Sequence, residues 1–217
     1  MSGRAACGWR RVAGMLVFAA ALWPQNPPRI FYSKLFLGSV PEYSEITVDR
    51  SGQGQYKESR DDDSPVRFQL TQAESADIFV LAEKLDRFNR PLESHLKVAN
   101  TGIKTFRFDD GKEKHEVKFN YSTDPNAGAL WDWFERIAET ERSFAGLEKT
   151  ARFDKLGVND ALLQLEVSKD HKRLVAAQQF LPILDSIAGN EAYLHMARIR
   201  AANLAQALRS EMSRRRE

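Results

Sequence analysis

Hydrophobic and polar residues alternate with a period of two in several short stretches between residues 43 and 121. Such alternation is typical of strands that bury one face of a sheet. Turn residues at Ser51–Gly54 and Asp109–Lys112 separate two pairs of these stretches, and each pair is predicted to form a β-hairpin. The predicted strands are Tyr43–Asp49, Gln55–Glu58, Val66–Leu70, Ile103–Asp109 and Glu113–Tyr121.

One amphipathic helix is predicted between the third and fourth of these strands. Apolar residues recur at spacings of three and four from Ile78 to Leu85, which indicates a helix over about residues 72–86. Thr71 and Glu74 have the spacing of a capping box, in which the hydroxyl and the carboxylate bind otherwise unpaired backbone N–H groups.

After residue 121 the pattern becomes helical. Asp124 is a predicted helix cap with Pro125 in the first turn, and that helix extends to about Leu156. Three further helices are predicted at about 160–174, 176–188 and 191–213. The fold class is therefore α+β: a small antiparallel sheet of four to five strands with one packed helix, followed by a tail of three to four α-helices. The predicted domains are residues 42–123 and 124–217.

The first residues have the order of a secretory signal peptide. Arg4, Arg10 and Arg11 precede the apolar run Val12–Phe18, and the small residues Ala19–Ala21 follow. We therefore predict a signal peptide over residues 1–21 and a periplasmic or secreted protein. The apolar run is too short for a spanning helix, so no stable membrane span is expected after cleavage.

Residues 22–41 contain four prolines and are predicted to be an extended Pro-rich linker. The short apolar runs at residues 30–32 and 35–37 allow part of this linker to dock on the following domain.

The charge balance argues against a nucleic-acid partner. The chain has 32 basic and 30 acidic residues, and loss of residues 1–21 removes three arginines and no acid, which leaves 29 and 30. Cys7, the only cysteine, lies in the predicted signal peptide. The exported chain would then have no thiolate metal site, cysteine nucleophile or disulfide.

No catalytic, cofactor-binding or metal-binding residue is assigned from the sequence, and no cofactor is expected. The four histidines are scattered, and no nucleophile elbow or phosphate-binding loop is present. Trp131 and Trp133 are interpreted as core residues rather than as a sugar-stacking platform, because apolar residues at helical spacing are usually buried.

The leading hypothesis is a non-enzymatic exported protein that binds another macromolecule in the envelope or outside the cell. A protein partner is expected to contact the C-terminal helices, where an apolar stripe extends from Leu194 to Met212 and precedes the basic end Arg214–Arg216. The oligomeric state stays open.

The alternative hypothesis is a hydrolase, or a hydrolase inhibitor, that acts on wall or peptide substrates. A hydrolase would gather His95 or His115 with nearby carboxylates in a cleft. An inhibitor would present a rigid exposed loop, and Arg87–Thr101 is the longest irregular stretch.

The run Glu45–Gly52, together with Tyr56–Glu58, a helix and the paired strands around Asp110–Gly111, resembles uncharacterised exported bacterial domains. Those domains share the order strand, strand, helix, strand, strand. The resemblance covers about residues 43–123. It implies an exported domain of unknown role and assigns no site residue.

Overall fold

The computed structural model describes residues 27–214. The predicted signal peptide, Cys7 and the arginines at 215 and 216 lie outside the described residues.

Six antiparallel strands form one sheet, in the order β4-β3-β2-β1-β5-β6. The strands are β1 (Arg29–Leu35), β2 (Tyr43–Asp49), β3 (Gln53–Lys57), β4 (Val66–Gln69), β5 (Ile103–Asp109) and β6 (Lys114–Phe119). Both predicted hairpins, β2–β3 and β5–β6, are present.

The linker prediction was wrong for Arg29–Leu35, because these residues form a central strand of the sheet. Every residue of β1 is paired with β2 on one side and with β5 on the other. Ile30 and Tyr32 are fully buried. The prolines that suggested a linker lie before the strand or after it, where the absent N–H removes no hydrogen bond of the ladder.

Five α-helices accompany the sheet, which confirms the α+β class with a helical tail. They are α1 (Gln72–Lys84), α2 (Pro125–Phe153), α3 (Val158–Asp170), α4 (Leu181–Gly189) and α5 (His195–Arg214). Within residues 27–214 we find no helix with both the length and the apolar character needed to cross a membrane.

The predicted helix caps are present. The Thr71 hydroxyl accepts a hydrogen bond from the Glu74 N–H, and the Glu74 carboxylate accepts one from the Thr71 N–H at 2.8 Å. The Asp124 carboxylate accepts the N–H of Asn126 at 2.8 Å, with Pro125 in the first turn of α2. These contacts satisfy donors that the first turn of a helix leaves unpaired.

One face of the sheet packs against α1 and the first half of α2 and forms the first core. Its strand residues alternate with residues of the opposite face, as the period of two requires. The fully buried members from the strands are Ile30, Tyr32, Ile46, Val48 and Phe106.

A second core lies within the tail, between the end of α2 and helices α3, α4 and α5. Leu147 of α2 belongs to this core, whereas Leu130 and Phe134 of the same helix belong to the first. Since one continuous helix contributes to both cores, the start of the helical region at residue 124 is not a break between separately packed units.

The segment that joins α3 to α4, residues 171–180, also connects the two cores. Val175 and Ala176 in this connecting segment are fully buried in the first core. The Val175 N–H donates to the Thr140 hydroxyl at 3.2 Å, and the Ala176 N–H donates to the Glu74 carboxylate at 3.3 Å. The tail is thereby held to both α1 and α2.

Glu141 of α2 faces this connecting segment and is completely buried. Its Oε1 accepts a hydrogen bond from Nε2 of Gln179 at 2.8 Å, while its Oε2 has no hydrogen-bond partner. Burial raises the pKa of the Glu141 carboxyl to about 7, because a charged carboxylate loses its hydration there.

We expect Glu141→Gln to stabilise the protein at pH 8 and to leave its stability nearly unchanged at pH 4. A carboxyl whose pKa is higher in the folded state makes folding less favourable as the pH rises from about 4.5 to about 7. The free energies of unfolding of the two proteins should then differ by roughly 3 kcal/mol at pH 8, at 1.36 kcal/mol per pKa unit. Urea unfolding across this pH range measures it.

The control is Glu148→Gln, which changes an exposed carboxylate of the same helix. If the difference in the free energy of unfolding between the wild type and Glu141→Gln stays constant from pH 4 to pH 8, the pKa of Glu141 is not raised in the folded protein.

Candidate functional site

Lys104 occupies a buried position where the alternation of β5 calls for an apolar residue. It shares the helix-facing side of the strand with Phe106 and Phe108, and only 1% of it is exposed. A buried ammonium group requires hydrogen-bond acceptors that replace its lost hydration.

The Lys104 ammonium group has three such acceptors. Its Nζ donates to the Thr101 hydroxyl at 2.9 Å, to the Gly102 carbonyl at 3.2 Å and to the Asn120 carbonyl at 2.8 Å. The Nζ also lies 4.5 Å from the centre of the Trp131 ring, which is a favourable cation–π distance. All three donors of the ammonium are therefore used within the protein.

A second lysine lies beside Lys104 on the adjacent strand. Lys34 of β1 pairs in register with Lys104 of β5. Burial, and then the positive charge of Lys34, lower the pKa of Lys104 to about 8.

Glu135 of α2 offsets the two positive charges. Its carboxylate accepts hydrogen bonds from the Tyr32 hydroxyl at 2.7 Å, from Nε1 of Trp131 at 3.0 Å and from Nζ of Lys34 at 3.1 Å. Burial alone would raise the pKa of Glu135, but these hydrogen bonds and the Lys34 charge outweigh it and the pKa is lowered. Glu135 therefore stays ionised.

Lys104 and Asn120 together fix the base of a long loop, which we call the anchored loop (Asn89–Gly102). The Asn120 N–H donates to the Glu93 carboxylate at 2.6 Å, and its side-chain amide donates to the Ala99 carbonyl at 3.2 Å. The Thr101 N–H donates to the side-chain oxygen of Asn120 at 2.9 Å. Both ends of the loop are thereby tied to one residue.

The middle of the anchored loop is exposed to solvent. Leu96 is 57% exposed and Val98 is 42% exposed, and the neighbouring His95 and Lys97 are exposed as well. The Ser94 N–H donates to the Tyr121 carbonyl at 2.9 Å just before this exposed part. The exposed part of the anchored loop therefore lies within the span Arg87–Thr101 that the inhibitor hypothesis names.

A half-open cavity of about 260 Å³ lies beside the base of the loop, and we call it the α2 pocket. Its walls come from the start of β5, the end of β6 with the segment after it, and the first turns of α2. The residues that line it are Lys104, Phe119, Asn120, Tyr121, Ser122, Thr123, Asp124, Pro125, Ala127, Gly128 and Trp131. Trp131 is only partly buried and packs against the first core, so it belongs both to that core and to the pocket wall.

A second, wider depression of about 580 Å³ lies on α1 and is open to solvent. The guanidinium of Arg50 covers the Phe79 ring there and binds the Glu83 carboxylate at 3.0 Å. The charged groups of Arg50 and Glu83 are therefore already paired with each other.

His95 and His115 lie at different ends of β6. His115 pairs with Phe108 near the start of the strand. His95 follows Ser94, whose N–H binds the Tyr121 carbonyl beyond the end of the strand. Six residues of extended chain separate His115 from Tyr121, which is about 20 Å at 3.3 Å per residue. These two histidines therefore do not share a cleft.

The described residues include no group of three or more His, Cys, Asp or Glu side chains that could hold a metal ion. His171 follows α3 and is exposed, and His195 is the first residue of α5. The carboxylates of the acidic run at residues 61–63 lie in a turn before β4.

Much of the predicted apolar stripe of the last helix packs inside the protein, so its buried residues do not form a surface for a partner, while a protein partner at the C-terminal helices stays a prediction. Ala197, Ala201, Leu204 and Leu208 are buried in the second core. The other helices of the tail cover this face of α5, a packing partner that the sequence of α5 alone does not reveal.

A different face of the tail exposes apolar side chains. Arg200 of α5 binds Glu166 of α3 at 3.2 Å and so aligns the two helices. Four large apolar residues of these two helices are 40–64% exposed, and we call them the tail patch: Leu163, Val167, Met196 and Ile199. Leu163 and Val167 are four residues apart on α3, and Met196 and Ile199 are three apart on α5, so each pair shares a helix face.

Sequence reasoning missed the cluster around Lys104. The one available signal was Lys104 itself, a charged residue in phase with Phe106 and Phe108. Its acceptors and Glu135 come from distant parts of the chain, so their proximity depends on the tertiary fold.

Comparison with protein-family models and with curated proteins gives no match for this sequence. The function of the chain is therefore argued from its own geometry.

We expect Lys104→Met to loosen the anchored loop. Methionine fills similar space but donates no hydrogen bond, so the carbonyls of Gly102 and Asn120 lose their partner. A hydrogen bond from a charged donor contributes about 1.5–3 kcal/mol, and 1.4 kcal/mol corresponds to a factor of ten. Amide hydrogen exchange at Ser94, Thr101 and Asn120 should accelerate about tenfold or more.

The control is Lys97→Met, which removes an exposed charge from the same loop. If the loop amides exchange at the wild-type rate in Lys104→Met, the lysine does not anchor the loop.

Proposed function

We propose that this protein is exported and acts without catalysis, by binding another macromolecule in the envelope or outside the cell. The observation that carries the proposal is the tail patch, where four large apolar residues of α3 and α5 are 40–64% exposed. Adjoining exposed apolar side chains on a folded protein mark a surface that another molecule covers.

The chemistry of the tail patch favours a protein partner. Its side chains are aliphatic or thioether groups, without the Trp or Phe that anchor a helix in a lipid interface. The neighbouring Arg200 is already bound to Glu166, and the exposed residues beside it include Gln164 and Asn203. No unpaired basic cluster for nucleic acid lies on this part of the described chain.

We expect the double variant Leu163→Asp, Met196→Asp to lose partner binding by a factor of ten or more. Two charges placed in an apolar contact would have to be dehydrated when the partner binds. The measurement is quantitative capture from envelope extract with the tagged wild-type protein, the variant and a control, followed by reconstitution with the purified partner.

The control is Val80→Asp, which changes an apolar residue of α1 that is 51% exposed. Thermal unfolding checks that all three proteins fold. Equal capture by the wild type and by the double variant would overturn the assignment of the tail patch. Size exclusion chromatography shows whether the occupant is a second copy of the chain.

The anchored loop favours a second candidate, a hydrolase inhibitor. A loop that is fixed before binding loses less conformational entropy when it enters an active-site cleft. Leu96 and Val98 project from such a loop, whose ends are held by Asn120 and Lys104.

We expect an inhibitor to block a peptidase or a wall hydrolase, and Leu96→Asp to abolish the inhibition while Val80→Asp preserves it. Residual activity of a panel of such enzymes, titrated with the purified protein, measures this. Absence of inhibition across the panel would contradict the inhibitor candidate.

A further inference from the structure

We propose that the α2 pocket binds one neutral sugar ring, either as a free sugar or as the end of a glycan chain. The tail patch lies on other helices, so this site is independent of the proposed function.

The volume of the pocket limits the size of its ligand. Pockets for drug-sized ligands have volumes of about 300–1,000 Å³. At about 260 Å³ the α2 pocket lies just below this range and suits a single ring with its substituents. Its position between the end of a strand and the first turns of a helix makes it half-open, which leaves room for a chain to continue outward.

The inner wall of the pocket is apolar. Trp131 and Phe119 supply aromatic surface, and Ala127 and Gly128 of α2 leave space beside them. Trp131 is held in place because its Nε1 donates to Glu135 at 3.0 Å. The C–H face of a pyranose ring is apolar and can pack against such a fixed aromatic wall.

Three residues with hydroxyl groups also line the pocket, and the Ser122 hydroxyl accepts a hydrogen bond from the Asp124 N–H at 3.3 Å, which leaves its own O–H as a donor. Tyr121, Ser122 and Thr123 follow one another along the segment that lines the pocket. Hydroxyl groups both donate and accept hydrogen bonds, as sugar hydroxyls do, so the two sets can pair in either direction.

The charged groups of the pocket already have partners, which is why we infer a neutral ligand. The three donors of the Lys104 ammonium are bound to Thr101, Gly102 and Asn120. The carboxylate of Asp124 is paired with Arg90 and caps α2. A charged ligand would lose hydration in the pocket without gaining an ion pair.

The first experiment titrates the purified protein with neutral monosaccharides, namely glucose, galactose, mannose and N-acetylglucosamine. Isothermal calorimetry and the NMR signal of the Trp131 indole N–H report binding. For the best neutral sugar we expect the corresponding amino sugar and uronic acid to bind at least tenfold more weakly. Disaccharides that carry this sugar at the non-reducing end show whether the pocket binds a free sugar or the end of a glycan chain.

The second experiment uses two glycines of α2. An added Cβ meets no atom within 4 Å at either Gly128 or Gly146. Gly128 lines the pocket, whereas Gly146 lies 18 residues further along the helix, about 27 Å away. We expect Gly128→Leu to weaken sugar binding at least tenfold and Gly146→Leu to leave it unchanged.

Removal of the hydroxyl groups tests the polar wall separately. The variant Ser122→Ala, Thr123→Val should also bind the sugar more weakly, with little change in thermal stability. The proposal is overturned if none of the neutral sugars binds, if the charged sugars bind as tightly, or if Gly128→Leu binds like the wild type.

Discussion

The hydrogen bonding of β1 along both of its edges is the constraint on which the rest of the structure depends. Without this strand, β4-β3-β2 and β5-β6 would be two separate pieces with open edges. β1 also brings together Tyr32 and Lys34, and so determines where Glu135 of α2 can bind. The position of α2 over the sheet therefore depends on a strand of seven residues near the start of the described chain.

Two buried ionisable groups oppose each other in their dependence on pH. The raised pKa of Glu141 makes folding less favourable as the pH rises toward 7. The lowered pKa of Lys104 makes folding more favourable as the pH rises above about 8, because the folded state then loses its proton before the unfolded state does. The two groups together therefore destabilise the fold most between about pH 7 and pH 8. Each group also makes hydrogen bonds that hold a segment in place. Lys104 binds Thr101 and Asn120 at the base of the anchored loop, and Glu141 binds Gln179 in the connecting segment.

Most of the secondary structure could be predicted from local patterns. The capping box at Thr71 and Glu74, the Asp-Gly turn at Gly111 and the cap at Asp124 are each determined by neighbours in the sequence. β1 could not be predicted in this way, because its apolar run is short and the prolines around it dominate the composition. Its burial comes from β2, β5 and α2, whose contacting residues lie between 8 and 103 positions further along the chain.

The candidate surfaces were less predictable than the fold, for the same reason. The apolar stripe of α5 is a real helical pattern, but a pattern does not distinguish packing inside the chain from packing against another molecule. Leu204 and Leu194 of this stripe show the difference, since the first is buried and the second is 48% exposed. Only the arrangement of the neighbouring helices decides between them.

The three proposed binding surfaces depend on two different cores, which are joined by one helix. The pocket and the anchored loop depend on the first core through Lys104 and Trp131, and the tail patch depends on the second core. α2 is 29 residues long, which is about 43 Å at 1.5 Å per residue, and it packs in both cores. Its first turns form the pocket and its other end supports the tail. A ligand in the pocket would therefore contact the first turns of α2, whereas a protein on the tail patch would contact α3 and α5.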